Sequence, residues 1–219
     1  MGTPANTEIL ELVASSLEYP NDRSIPLMRE AAERAGPSSP ELARAFVRLA
    51  EWLQTLPAGE AEERYTALFD LSPVCTLHAG YHLFGETYQR GALLAGLAAE
   101  LRKAEVVDRG ELSDFIPTLL RLLPCQSEED RSTLVDYILL PALFRMDEAL
   151  KESTSPWAGV LRALPKILGP LGTGQDVASH LMAPPPDSLR AYTEAADLPQ
   201  RGDRHMPAFD PPPLASGAR

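Results

Sequence analysis

Basic residues are scarce in this chain. Lys and Arg total 20 against 31 Asp and Glu, which leaves a formal net charge of −11. A nucleic-acid backbone is held by clustered cations that release counterions, so the balance excludes nucleic acid as a partner and disfavours an anionic membrane surface. Cysteine is scarcer still. Cys75 and Cys125 are the two, with no CxxC and no histidine at zinc-ligand spacing, and both read as reduced, buried thiols. Long apolar runs are missing as well. The longest, "YILLPALF" from Tyr137 to Phe144, falls far short of the ~20 residues a membrane-spanning helix needs. At the amino terminus Glu8 and Glu11 interrupt the apolar pattern, which a signal-peptide core does not tolerate. A cytoplasmic location and no direct membrane insertion are the expectations.

Strand patterns are equally absent: there is no sustained alternation of period two and no Asn-Gly or Asp-Gly turn between apolar runs. No fixed-period repeat is present, which argues against a solenoid. Helical periodicity fills the chain instead. Leu42, Phe46, Leu49, Leu53 and Leu56 step by alternating four and three residues and so share one helix face. Leu139, Leu143, Met146 and Leu150 repeat the pattern, as do Trp157, Leu161, Leu164 and Leu168, and shorter stripes run through Ile9, Val13 and Leu17 and through Leu94, Leu97 and Leu101. Short breaks at "YPND", "GPSSP", "LPAGE" and "LPCQSEED" favour antiparallel neighbours. Pro141 and Pro165 lie inside helical patterns and should kink or split them. The expectation is an all-α, single helical bundle of about eight helices. Eight of the 21 prolines fall after Gly174, so residues 1–174 are expected to form the helical domain and residues 175–219 a Pro-rich, partly ordered or extended C-terminal tail.

Catalytic signatures are missing too. GxSxG, the P-loop and GxGxxG do not occur. His78 and His82 stand four apart, as two metal ligands on one helix would, but "AGY" between them lacks the Glu of HExxH and no third ligand is nearby. Cys75 and His78 form no thiol–base pair with an orienting third group. The acid clusters "EAEER" and "SEEDR" open helices, where the helix dipole favours negative charge. No catalytic residue, metal ligand or cofactor is therefore assigned.

What is present is the stretch from Tyr65 to Gly91, "YTALFDLSPVCTLHAGYHLFGETYQRG". Tyr65, Phe69, Tyr81 and Phe84 would by default be core residues, and Glu86 with Arg90 a surface ion pair at helical spacing. Gly85 either relaxes a helix junction or lets another chain approach. Interleaved with Asp70, His78 and His82, the aromatics look more like the mixed lining of a peptide groove than a plain core.

Four ordered motifs carry a resemblance: "SLEYP" (Ser16 to Pro20), "YTALFD" (Tyr65 to Asp70), "HLFGETYQRG" (His82 to Gly91) and "ELSDFIPTLLRLL" (Glu111 to Leu123), echoed by "SPWAGVLRAL" from Ser155. In order and spacing the chain resembles the NarJ-type nitrate reductase assembly chaperones, relatives of the TorD and DmsD group, over roughly Glu8 to Leu168. The resemblance implies an all-helical, non-catalytic cytoplasmic protein. Its partner would be the amino-terminal segment of an apo molybdoenzyme catalytic subunit, the respiratory nitrate reductase alpha subunit first, with molybdenum cofactor biosynthesis proteins as further partners. It would assist insertion of the molybdenum cofactor and delay membrane docking. Tyr65, Phe69, Asp70, His82, Gly85, Glu86, Arg90 and Gly91 match the motifs position by position, while Gly80 and Tyr81 stand where some relatives carry an aromatic followed by an acid. The client-binding set expected from residues and resemblance together is Tyr65, Phe69, Asp70, His78, Tyr81, His82, Phe84, Gly85, Glu86 and Arg90. The competing classes are a helical heme- or metal-dependent enzyme using His78 or His82, and a structural subunit of the mature reductase.

Overall fold

A computed structural model describes residues 4–71 and 74–173. The Pro-rich tail expected after residue 174 lies outside the described residues. Ten α-helical segments make up most of the described chain: α1 (Pro4–Ser16), α2 (Ser24–Ala35), α3 (Pro40–Thr55), α4 (Glu60–Phe69), α5 (Ala79–Phe84), α6 (Tyr88–Lys103), α7 (Ile116–Leu122), α8 (Glu128–Leu134), α9 (Leu140–Ala149) and α10 (Pro156–Leu168). The all-α expectation holds. No strand is formed among the described residues, where a single antiparallel bridge joins His78 to Phe115.

Helix α3 is the centre. Its apolar stripe, Leu42, Phe46, Leu49 and Leu53, is fully buried between α2 and α10, and it starts where Ser39 accepts a hydrogen bond from the Leu42 amide with Pro40 at the first turn. Both residues suit that position, Ser by satisfying an orphan amide and Pro by having none to satisfy. The stripe of α10 closes on it through Trp157, Leu161, Leu164 and Leu168. On the other side α1 lies against α2 and α7, while α9 packs on α10 and α5 on α6 and α9. In α6 the buried ridge is Leu93, Leu97 and Leu101, so the register sits one residue from the expected Leu94 stripe.

Pro141 acts differently from a simple kink. A π-helical turn, Val135–Leu139, joins α8 directly to α9, and the Leu140 amide reaches back five residues to the Val135 carbonyl. Pro141 has no amide to donate and its ring would crowd a carbonyl four residues back, so widening the preceding turn accommodates it without breaking the helix. Pro165 remains inside α10. Cys125 differs from expectation as well: Cys75 is buried, but Cys125 ends a 3-10 turn beside Pro124 and is exposed.

An aromatic knot ties the bundle to its loops. Trp157, 1 % exposed, meets Trp52, Tyr65 and Phe69 edge-on at centroid distances of 5.3, 5.6 and 6.1 Å, and Tyr65 in turn meets Phe69 at 5.0 Å and Tyr19 at 5.5 Å. Such T-shaped pairs add to the area they bury because ring edge and ring face carry opposite partial charge. Replacing Trp157 by Ala should therefore lower unfolding free energy by about 3–5 kcal/mol, measured by urea denaturation, whereas Phe at this position should cost well under half of that by retaining the edge-on contacts. Equal losses in the two variants would show that the indole, and not the knot, carries the stability.

Candidate functional site

The segment between α4 and α5 and the loop between α6 and α7 are stitched together by their backbones. Ala79 donates its amide to the Asp114 carbonyl at 2.8 Å, and Ile116 donates to the Leu77 carbonyl at 2.9 Å. Ser113 fastens the same loop to α6 by donating its hydroxyl to the Leu94 carbonyl. Between these ties lies Asp114, 0 % exposed, whose carboxylate accepts from His78 Nδ1 and from Arg90 Nε, each at 3.0 Å. Burial alone would raise this carboxyl, but the two hydrogen-bonding partners outweigh it and hold Asp114 below the usual carboxylate range.

Gly80 explains how helix α5 comes so close. A Cβ there would stand 2.7 Å from Asp114 Oδ2 and 3.1 Å from Leu93, so only glycine leaves room for the carboxylate. Helix α5 ends at Gly85, whose φ of 62° favours glycine, and Arg145 of α9 donates to the carbonyls of His82 and Leu83 at that end. The junction at Gly85 is thus a helix stop followed by a new start at α6.

This arrangement corrects one expectation. Arg90 does not pair with Glu86 four residues earlier; it turns inward to Asp114, and its guanidinium also lies 5.6 Å from the Tyr81 ring centroid. A buried carboxylate without cations would be far costlier than an unpaired surface Glu, so the buried partner wins.

A cavity of about 300 Å³ opens on the other side of His78. Four separate chain segments build it. The turn after α1 supplies Glu18 and Tyr19, the end of α4 supplies Tyr65, Phe69 and Asp70, the approach to α5 supplies Leu77 and His78, and the α6–α7 loop supplies Arg109, Glu111 and Phe115. Tyr65 and Phe69 are mostly buried and form its floor, with the Tyr65 hydroxyl donating to the Leu17 carbonyl at 2.8 Å. Burial first, then the charges of Glu111, Glu18 and Asp70, push the Tyr65 phenol well above its ordinary value. Because His78 Nδ1 donates to Asp114, its Nε2 edge faces the cavity, 3.9 Å from Glu111. Glu18 is held by Arg121 at 2.7 Å and by Arg109 at 2.9 Å.

The expected set therefore divides. Tyr65, Phe69, Asp70 and His78 meet in the cavity. Tyr81, 43 % exposed, and Arg90 lie toward the other face of Asp114, Phe84 packs partly buried against the core, and Gly85 and exposed Glu86 form the link to α6. His82 turns inward: its Nε2 donates to the Thr76 carbonyl at 2.8 Å with the Cys75 sulfur at 3.8 Å. Burial depresses His82 below the usual histidine value and pushes the Cys75 thiol up to about 12. Such a thiol is inert as a nucleophile at neutral pH. Sequence reasoning missed Glu18, Tyr19, Arg109, Glu111 and Phe115, and it missed Asp114 as the organiser. Five of these six sit inside the motifs "SLEYP" and "ELSDF", whose pattern alone does not show which side chains reach the cavity.

Among the described residues no group of three or more His, Cys, Asp or Glu is placed to hold a metal ion, and no helix is long and apolar enough to cross a membrane. The family model described as nitrate reductase delta subunit matches residues 36–163. No curated protein matches the chain.

Asp114→Asn should destabilise the protein by roughly 3 kcal/mol, because Arg90 loses its buried counter-charge and His78 its carboxylate acceptor. Glu86→Ala should change stability by less than about 0.5 kcal/mol. Thermal melts of both variants check the contrast, and equal effects would remove Asp114 from its central place. The pH dependence is set by His82 first. Its folded value is lowered, so below about pH 6.5 the unfolded chain takes up a proton that the folded chain resists, and stability falls. Asp114 has the same sign in a lower window: its contribution is present above the ordinary Asp value of about 3.9 and is lost as pH falls through the depressed folded value. The melting temperature should therefore drop between about pH 7 and pH 5, and His82→Gln should flatten that slope. An unchanged slope would assign the loss to other groups.

Proposed function

The chain belongs to the nitrate reductase delta subunit family, and from that premise we propose that it is a cytoplasmic, non-catalytic chaperone that receives the amino-terminal segment of an apo nitrate reductase catalytic subunit in the cavity beside His78. In this role it keeps the client open for insertion of its molybdenum cofactor and postpones docking at the membrane. The molybdenum cofactor belongs to the client. No step of the proposed role requires a chemical reaction on this chain.

One observation carries the reading: an aromatic floor of Tyr65 and Phe69 under a rim bearing Asp70, Glu111 and the Glu18–Arg109 pair. Apolar anchors give a peptide its affinity, while rim charges select and orient it. Asp70 and Glu111 are both exposed, and the chain as a whole carries −11. The client segment that suits such a rim is basic, with apolar side chains between its cations.

Calorimetric titration with a peptide copied from the amino terminus of the nitrate reductase catalytic subunit of the same genome tests this. Asp70→Asn and Glu111→Gln should each weaken binding about two- to fivefold without moving the melting temperature, and added salt should weaken it further. Affinity indifferent to both variants and to salt would place the client elsewhere on the bundle.

A further inference from the structure

Arg109 is where the fold does something a plain loop does not need. It adopts φ of 57° immediately before Gly110 at 89°, a left-handed conformation uncommon for residues other than Gly, Asn and Asp. That backbone carries its side chain to Glu18, where Nη1 contacts the carboxylate oxygens at 3.1 and 2.9 Å. Glu18 is simultaneously held by Arg121, which also binds Glu11. Arg121 is nearly buried, whereas the Arg109 side chain is 55 % exposed. The two cations on Glu18 are thus unequal, one locked into the fold and one at the surface.

A second cavity of about 330 Å³ lies next to the first. Val106, Val107, Leu120 and Pro124 supply its apolar wall, and Val107 is 69 % exposed. Among the described residues Arg109 is the one that lines both cavities. Each cavity alone stands at the low end of the ~300–1,000 Å³ range of ligand sites, and the two joined would reach its middle.

We infer that Arg109 is a gate occupying the place of a client cation: it closes the passage between the two cavities by pairing with Glu18, and a Lys or Arg of the incoming segment takes over that pair. The inference rests on the client-binding reading above. Exchange of one cation for another conserves charge at Glu18, so neither the open nor the closed state leaves a carboxylate uncompensated. Arg121 keeps Glu18 in place throughout. Once Arg109 swings out, the client's cation lies over Glu18 with Asp70 and Glu111 beyond it, and the apolar residues next to that cation enter the wall formed by Val107 and Leu120. The occupant is accordingly a segment with a basic residue directly flanked by apolar ones.

The test compares wild type, Arg109→Ala and Arg109→Lys, titrated with the client amino-terminal peptide and with the same peptide carrying Gln at its basic positions. Removing the competing cation should tighten binding of the native peptide by about fivefold, the scale of one exposed ion pair, with Arg109→Lys restoring wild-type affinity. The Gln peptide should gain nothing from Arg109→Ala. Arg109→Gln, which keeps the bulk without the charge, repeats the comparison should Ala disturb the loop. Equal affinity of all variants for the native peptide would overturn the gate and leave the client-binding reading standing. Weaker binding by Arg109→Ala would overturn the gate by making Arg109 a direct contact. No binding by any of them, wild type included, would remove both.

Discussion

Everything around the candidate site depends on one carboxylate that never sees water. Asp114 sits between His78 of the segment before α5 and Arg90 of α6, so a single buried group ties both pieces of chain to the loop between α6 and α7. A buried charge is tolerated only with partners, and the removal of either partner costs more than the pair gains. That asymmetry makes the arrangement specific. His78 can take one orientation, Arg90 is drawn away from the surface, and Gly80 is the residue that lets the carboxylate lie against helix backbone. The loops of the cavity inherit their rigidity from this point and from the paired backbone amides beside it, not from a helix face.

The helical scaffold was legible because burial and periodicity are the same fact seen twice. The stripes of α3, α9 and α10 read directly from the spacing of Leu, Phe, Met and Trp, and those residues are buried save Leu56, which follows the last turn of α3 in extended backbone and is partly buried. The polar part was legible only as pattern. Helical spacing places Glu86 and Arg90 side by side, and a reading confined to one helix cannot know that a carboxylate 24 residues farther on will reach the same arginine. His82 was equally opaque. Its neighbours in sequence suggested a groove, yet its ring is consumed by the Thr76 carbonyl. Long-range polar pairing leaves no periodic trace, which is why the motifs bring Tyr65, Phe69, Asp70 and His78 to one cavity and give no sign that His82 and Arg90 turn elsewhere.

Two contrasting populations of acids in this molecule have different physical tasks. Asp114 and Asp136 are buried and spent on the fold, the latter accepting from the amide and hydroxyl of Thr173 at 2.8 and 2.6 Å. Asp70 and Glu111 stand in water at the cavity rim. Only the second population presents its charge to a partner at the surface, because Asp114 is paired with Arg90 and Asp136 is enclosed against Thr173. Net charge therefore describes this protein poorly until the acids are sorted by burial.

Glu18 belongs to neither population, and that gives it a particular place. It is partly buried, shares Arg121 with the fold, and shares Arg109 with solvent. A carboxylate with one permanent and one replaceable cation can change partner without changing its own position. The cost of such an exchange is set by the difference between two similar ion pairs, not by the desolvation of an isolated charge, and differences of that kind are small. A site built this way holds a basic segment with modest net energy while keeping its geometry intact before and after. For a protein whose proposed task ends in handing its partner on, a weak and reversible exchange at a fixed carboxylate serves better than a deep, permanently vacant acidic pocket.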